Sequence, residues 1–225
     1  MSGQKTVGVI FSRADLQRAL RMRNPPDLFE LRLDRLITCF DELRDAAGRL
    51  SAPLIVTARD PREGGANNLS TIRRRALLFD FLPHARFVDV ELRSANALHA
   101  VLQAAAEKKV GAIISFHDLQ ATPPLSQLDK IAERARSLGA AIVKVATRTD
   151  TRPQLDTLLD FFDRQSGGSH LAAMGIGRLG RIARLELARR GSALNYGHLG
   201  APAAAGQLSI RELRKFAEGA STVSL

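Results

Sequence analysis

The sequence lacks several features that mark particular classes of protein. It contains one cysteine, Cys39, so an intramolecular disulfide is impossible and a reducing compartment is expected. No apolar run approaches the ~18 residues of a membrane span. The start, MSGQKTVGVIF, has none of the parts of a signal peptide. We therefore expect a cytoplasmic protein that has no membrane partner.

Aromatic and metal-binding residues are also scarce. The chain has no tryptophan and one tyrosine, Tyr196, which leaves little for stacking on nucleic-acid bases. Its net charge of +10 is scattered in short groups such as the arginines at 73–75 and 189–190. An anionic small molecule suits this charge better than nucleic acid does, so we expect no nucleic-acid partner. No Cys/His cluster has metal-ligand spacing, and no metal site is predicted.

A strand-like run followed by a helix-like run recurs along the chain, with no low-complexity linker between repeats. Helical patterns include 94–109 and 124–139, the second ending at Gly139, which is a favourable helix stop. Ser209 and Glu212 have the spacing of a capping box at the start of the last helix. The predicted strands are 6–11, 28–33, 53–59, 86–92, 111–117, 140–147, 170–176 and 192–197.

Eight such repeats of about 20 to 30 residues predict an α/β fold, a (β/α)8 TIM barrel forming a single domain over 1–225. A doubly wound open sheet is the alternative, because alternation alone does not distinguish a closed sheet from an open one. No Gly-x-Gly-x-x-Gly follows the first strand, which argues against the dinucleotide-binding version of that alternative.

Polar residues occupy the ends of the predicted strands, where barrel enzymes place their catalytic groups. Each has two interpretations: it acts on a substrate, or it belongs to a structural ion network inside the barrel. For Lys144 the structural interpretation is an exposed lysine on an edge strand, which its apolar neighbours on both sides make less attractive. The residues concerned are Glu30, Arg32, Asp34, Arg59, Asp89, Glu91, His117 and Lys144.

Lys144 and His117 together indicate a reaction class. Apolar surroundings disfavour a lysine ammonium, and the neutral amine is a nucleophile that forms a Schiff base with a ketone or aldehyde. The iminium acidifies the neighbouring carbon, so a general base is needed, and histidine suits neutral pH. Because His117 lies one βα unit before Lys144, the two are expected on adjacent strands. The sequence thus predicts Schiff-base chemistry with proton abstraction beside a carbonyl.

With these residues in place, the sequence resembles the type I 3-dehydroquinate dehydratase family. The resemblance covers nearly the whole chain and depends on motifs in the same order. They are LFELRLD, TARDPREGG, VDVEL, IISFHDL with TPP, AAIVKVAT, GRLGRIARL and GSALNYG followed by AGQLS.

The resemblance implies a cytoplasmic, homodimeric barrel that dehydrates 3-dehydroquinate to 3-dehydroshikimate in the shikimate pathway without metal or cofactor. By position, Lys144 matches the Schiff-base lysine, His117 the general base and acid, and Glu63 the carboxylate that pairs with the histidine. Arg184 matches the arginine that binds the substrate carboxylate. The remaining matches are substrate or pocket contacts: Glu30, Arg32, Arg59, Met174, Tyr196 and Gln207.

The chain departs from the family pattern in the lid loop, which the resemblance places at about 197–208. Ala203 replaces a serine that contacts substrate, and Ala205 replaces a proline. Ile176 stands where a second methionine is common, and Ala183 where serine precedes the arginine. Two other functions stay open: a Schiff-base aldolase or transaldolase, and a non-catalytic barrel that binds anions or nucleic acid.

Overall fold

The computed structural model describes residues 3–165 and 170–221, with side chains as far as residue 218. Within these residues eight strands alternate with eight α-helices, so the ends of the domain predicted over 1–225 lie outside the described residues. The strands are β1 Lys5–Ile10, β2 Leu28–Arg32, β3 Leu54–Thr57, β4 Ala85–Glu91, β5 Gly111–Asp118, β6 Ile142–Arg148, β7 Leu171–Ile176 and β8 Leu194–His198.

Each strand is followed by a helix that packs on the outside of the sheet. The helices are α1 Arg13–Leu20, α2 Phe40–Ala47, α3 Thr71–Phe81, α4 His99–Glu107, α5 Leu125–Ser137, α6 Arg152–Gln165, α7 Gly180–Arg189 and α8 Ile210–Ser221. None of the described helices combines the length and the apolar composition that crossing a bilayer requires.

The strands form one parallel sheet in the order β7-β6-β5-β4-β3-β2-β1-β8. Because β1 pairs with both β2 and β8, the first strand lies inside the sheet and the sheet curls towards closure. At the seam between β7 and β8, the Ala193 amide donates to the Leu171 carbonyl over 2.9 Å. The arrangement is a nearly closed barrel, which confirms the predicted (β/α)8 fold over the open sheet.

Apolar side chains alternate between two layers along the strands. Leu31, Val56 and Val143 point outwards and pack beneath the helices, where the larger core lies. Val7, Ile55 and other inward residues fill the lower part of the barrel. Beyond these apolar residues, the C-terminal ends of the strands carry polar side chains.

Local capping signals define several helix ends. The capping box of α8 is confirmed: the Ser209 amide donates to Glu212 Oε2 over 2.8 Å, and the Glu212 amide to Ser209 Oγ over 3.1 Å. Gly139 has a φ of +78°, as expected of a residue that ends a helix. The helix predicted over 94–109 begins later, at His99, because Leu92–Ser94 forms a 3-10 turn.

Arg74, the middle residue of the arginine group at 73–75, is buried. Its side chain is 1% exposed and lies between the first turn of α3 and the ends of β3 and β4. It pairs with Asp60 over 3.0 Å and with Glu91, and its Nε donates to the Ala58 carbonyl over 2.7 Å. A buried arginine therefore holds the acidic residues beside the strand ends in place.

We predict that Arg74→Ala destabilises the protein by about 3–5 kcal/mol, because it leaves buried carboxylates without a partner. Arg73→Ala, on the exposed side of the same helix, is the matched control and should change stability by less than about 0.5 kcal/mol. Urea unfolding measures both variants. Equal losses in the two variants would show that the buried pairs contribute nothing.

Candidate active site

A cavity of about 400 Å³ opens among the C-terminal ends of the strands. This is the end of a (β/α)8 barrel at which catalytic groups are found. All the residues assigned to the site from the sequence line it, although they come from six different strands or the segments after them. They are Glu30, Arg32, Arg59, Glu63, His117, Lys144, Met174, Arg184, Tyr196 and Gln207.

Lys144 lies on β6 with its side chain inside the barrel and 3% exposed. Its Nζ is 2.9 Å from Asp89 Oδ2 and 3.5 Å from Glu30 Oε1. The face of the Tyr196 ring covers Nζ, which is 4.3 Å from the ring centroid. The expectation of apolar surroundings for this lysine is therefore wrong: its apolar neighbours face the helices, whereas Nζ meets two carboxylates.

The contact of Asp89 with Lys144 was not predicted from the sequence. Its carboxylate accepts two hydrogen bonds of 3.0 Å from Arg59 and one of 2.6 Å from Ser115 Oγ, in addition to the lysine. Burial opposes its ionisation, but the charges of Arg59 and Lys144 outweigh burial and hold the pKa of Asp89 far below its usual value. Asp89 is thus a fixed anion beneath Nζ.

Glu63 and His117 form a second buried pair. Glu63 Oε2 accepts the backbone N–H of His117 and contacts Nδ1 of the same residue, both over 2.9 Å. Burial raises the pKa of Glu63 to about 7, against the opposing charge of Arg59. Burial also lowers the pKa of His117, and Arg59 and Lys144 lower it further. A neutral imidazole that donates from Nδ1 to Glu63 keeps a lone pair on Nε2.

His117 and Lys144 lie on adjacent strands, as predicted. β5 and β6 pair in register from Ile113 with Ile142 to Asp118 with Thr147, so His117 stands opposite Ala146, two residues beyond the lysine. Successive inward side chains on neighbouring strands therefore present an amine and an imidazole to one cavity.

Arg184 is a buried guanidinium with no acidic partner among the described residues. It is 8% exposed, on α7, and it donates from Nε to the Gly175 carbonyl over 3.1 Å. Its Nη1 lies 3.5 Å from the Tyr196 carbonyl. Burial lowers its pKa to about 10, so the guanidinium is still charged at neutral pH. This cation lacks a counterion, and an anion in the cavity would supply one.

The arginines of β2 and β3 are largely occupied by protein carboxylates. Arg32 forms a paired contact with Asp34 over 2.8 and 2.9 Å, and Arg59 is bonded to Asp89 and Glu91. These bonds agree with the interpretation of Arg32 and Arg59 as members of a structural ion network. Glu30 Oε1 accepts a hydrogen bond of 2.9 Å from Thr57 Oγ1, which leaves the second carboxylate oxygen for another partner.

The segment predicted as a lid packs against the start of α7. The Gly177 amide donates to the Ala205 carbonyl over 3.2 Å, and Gln207 Oε1 accepts the Ala203 amide over 2.7 Å. Gly206 has a φ of +82°, and a Cβ there would lie 2.7 Å from the Arg181 amide nitrogen. Residues of this loop therefore line the cavity together with Arg184.

Two further arginines, Arg35 and Arg148, line the cavity and were not expected from the sequence. Arg148 is half-exposed and pairs with Asp150 over 2.6 Å, whereas Arg35 lies over the ring of Phe11. Within the described ranges no group of three or more His, Cys, Asp or Glu side chains is arranged to hold a metal ion.

The chain is similar in sequence to known proteins. The family model described as "Type I 3-dehydroquinase" matches residues 10–219. The 3-dehydroquinate dehydratase of Thermococcus gammatolerans is 32% identical over 92% of this chain and 95% of its own length. The 3-dehydroquinate dehydratase of Pyrococcus abyssi is 36% identical over 84% of this chain and 85% of its own.

Comparison by structure gives the same family of proteins. The 3-dehydroquinate dehydratase of Geobacillus kaustophilus superposes with a TM-score of 0.85 at 25% identity, covering 100% of this chain and 93% of that one. The enzyme of Enterococcus faecalis has a TM-score of 0.83 at 22% identity, a likeness that shows the fold alone.

Burial of Glu63 predicts a pH dependence of stability. Folding raises the pKa of Glu63 from 4.5 to about 7, so between these values the folded state binds more protons than the unfolded state. The stabilisation that protonated Glu63 provides is complete below about pH 4.5 and is lost as pH rises through about 7. Relative to Glu63→Gln, which does not ionise, the wild type should therefore become less stable as pH rises.

Urea unfolding at about pH 5 and about pH 8 measures this difference in the free energy of unfolding. Glu107→Gln, at an exposed position on α4, is the control and should keep a constant difference from the wild type. A difference between wild type and Glu63→Gln that does not change with pH would contradict the raised pKa.

Proposed function

The chain belongs to the type I 3-dehydroquinase family and is a hydro-lyase; we propose that it converts 3-dehydroquinate to 3-dehydroshikimate through an imine on Lys144. One observation carries this proposal. The Lys144 amine, the His117–Glu63 pair and the unpaired Arg184 guanidinium line a single cavity. Imine chemistry requires the first two groups, and a carboxylate substrate requires the third.

Imine formation begins with loss of a proton from Lys144, whose Nζ lies beside the carboxylates of Glu30 and Asp89. Glu30, 3.5 Å away, is the carboxylate that can accept this proton, because Arg59 holds Asp89 in its ionised form. The amine then attacks the ketone carbon, and the carbonyl oxygen takes one proton from the amine and one from Glu30 before it leaves as water. The iminium that results is a cation, so Asp89 and the Tyr196 ring stabilise it as they stabilise the ammonium.

Elimination needs a base on the carbon beside the iminium. Neutral His117 takes the proton, and the electron pair of the C–H bond passes into the iminium to give an enamine. The enamine returns the pair to expel the substrate hydroxyl, which takes the proton from the imidazolium and leaves as water. Hydrolysis of the second imine releases the product and restores Lys144. Glu63 holds the imidazole through Nδ1, which directs Nε2 to this work.

Arg184 orients the substrate by binding its carboxylate. Its guanidinium has no acidic partner among the described residues, so a substrate carboxylate gains a charge partner without breaking an ion pair of the protein. Glu30 and Arg32 keep polar atoms for the hydroxyl groups of the substrate ring. Arg59, whose Nη atoms are bonded to carboxylates and Ser115, supports Asp89 and is proposed as a weaker contact.

The lid and the assembly complete the proposal. The loop at about 197–208 is proposed to close over bound substrate, with Gln207 and Met174 as contacts. Ala203 offers no side-chain hydroxyl there, so the loop's own backbone and Gln207 carry the polar contacts. A homodimer, a cytoplasmic location, a place in aromatic amino acid biosynthesis and the lack of a nucleic-acid partner stay predictions. Solution mass measurement tests the dimer.

Incubation with 3-dehydroquinate should produce the conjugated enone, detected by ultraviolet absorbance, and borohydride should trap a covalent adduct on Lys144. Lys144→Ala should abolish both signals, because no other buried amine lines the cavity within the described residues. Peptide mass analysis locates the adduct.

Lys108→Ala, at an exposed position after α4, is the control and should react as the wild type does. Full turnover by Lys144→Ala would overturn the Schiff-base assignment. An adduct formed with aldol substrates alone would indicate an aldolase, and no adduct with any ketone would indicate a non-catalytic barrel.

Arg184→Gln should raise KM for 3-dehydroquinate about 10- to 100-fold with a smaller effect on kcat, since it removes charge-assisted hydrogen bonds to the carboxylate. Steady-state kinetics measures both constants. Arg189→Gln, at an exposed position on the last turn of the same helix, should leave them unchanged. An unaltered KM in Arg184→Gln would place the carboxylate elsewhere.

A further inference from the structure

The side chain of Tyr196 enters the barrel from β8, where the residue pairs with Val7 of β1. It is 5% exposed, and its ring covers the Nζ atom of Lys144. Its hydroxyl oxygen is buried and has no hydrogen-bond partner among the described residues. The ring alone accounts for the contact with the lysine, and the hydroxyl makes no hydrogen bond within the described residues.

A buried hydroxyl without a partner is unusual, because losing its bond to water destabilises the folded protein. Phenylalanine would keep the ring and avoid that cost. Buried polar groups nearly always have a partner, and those that lack one in a protein need an explanation. The simplest explanation is a partner that enters with the occupant of the cavity.

The position of the Tyr196 ring indicates which substrate atom would accept a hydrogen bond from the hydroxyl. Nζ lies over the ring, and in the proposed reaction Nζ bonds to the ketone carbon. The oxygen on that carbon is therefore the substrate oxygen that must come nearest to the ring. Burial raises the pKa of Tyr196 well above its usual value, and the charges of Glu30 and Asp89 raise it further. The hydroxyl accordingly stays protonated and can donate.

We propose that the Tyr196 hydroxyl is a further catalytic group, which donates a hydrogen bond to the ketone oxygen of the substrate while Lys144 attacks. Its donation stabilises the negative charge that grows on this oxygen. A proton from the attacking amine then converts the oxygen to the carbinolamine hydroxyl, and the proton that Glu30 took from Lys144 allows this hydroxyl to leave as water. Tyr196 keeps its own proton throughout and acts only as a hydrogen-bond donor. This role rests on the proposed imine on Lys144.

Tyr196→Phe tests the hydroxyl alone, because it keeps the ring over Nζ. A His117→Ala background stalls the reaction after imine formation, so exchange of the ketone oxygen of 3-dehydroquinate with ¹⁸O-water reports only formation and hydrolysis of the imine. In this background Tyr196→Phe should slow the exchange, and the appearance of the borohydride-trapped adduct, by about tenfold, as expected for one hydrogen bond.

Thermal unfolding supplies an independent readout of the same variant. Since the hydroxyl has no partner among the described residues, Tyr196→Phe should unfold at the same temperature as its parent or at a higher one. Ser137→Ala removes an exposed hydroxyl on α5 that bonds the Arg134 carbonyl, and it should leave the exchange rate unchanged. Tyrosine emission comes from Tyr196 alone, because the chain has no other tyrosine and no tryptophan, so it should change when substrate binds.

The outcomes separate this inference from the proposed function. If the His117→Ala parent neither exchanges oxygen nor forms an adduct, the imine proposal has failed. If the parent exchanges and Tyr196→Phe exchanges equally fast, the imine stands and the role of the hydroxyl is wrong. A large fall in the unfolding temperature of Tyr196→Phe would also overturn the role, since it would show that the hydroxyl has a partner within the protein.

Discussion

The carboxylate of Asp89 is the contact on which the interior of this barrel depends. It joins Arg59 of the segment after β3, Ser115 of β5 and Lys144 of β6, so one side chain links four neighbouring strands or their ends. Charged groups buried this deeply are costly unless each one is paired. Without Asp89, Lys144 and Arg59 would be two like charges facing each other across the barrel. The closed sheet brings the partners together.

A second group of ion pairs, around Glu91 and Arg74, holds the contacts of Asp89 in place. Glu91, two residues beyond Asp89, binds Arg59 and Arg74, and Arg74 reaches Asp60. Each arginine in this group bridges two carboxylates, so no single ion pair carries the arrangement. These contacts hold the lysine at a fixed point over the Tyr196 ring, and groups fixed in this way before a substrate binds are preorganised for electrostatic catalysis.

Much of the fold and part of the site could be predicted from the sequence. Alternating apolar runs gave the number and order of the elements, and the order of βα units placed His117 beside Lys144. The contact between Lys144 and Asp89 was not predictable in this way, because it crosses an intervening strand and depends on strand tilt and stagger. In the ladder Asp89 pairs with Ile113, whereas Lys144 pairs with Ser115, two residues further along. The burial of Arg74 likewise depends on tertiary packing.

The distribution of paired and unpaired cations distinguishes one side of the cavity from the rest. Lys144, Arg32 and Arg59 each have a protein carboxylate, which offsets the cost of holding them beside the cavity. Arg184 is buried and has no acidic partner among the described residues, and the segment that packs on the start of its helix lines the same cavity. An anion bound at Arg184 would supply the missing charge without breaking any ion pair of the Asp89 network, because that network is complete within the protein.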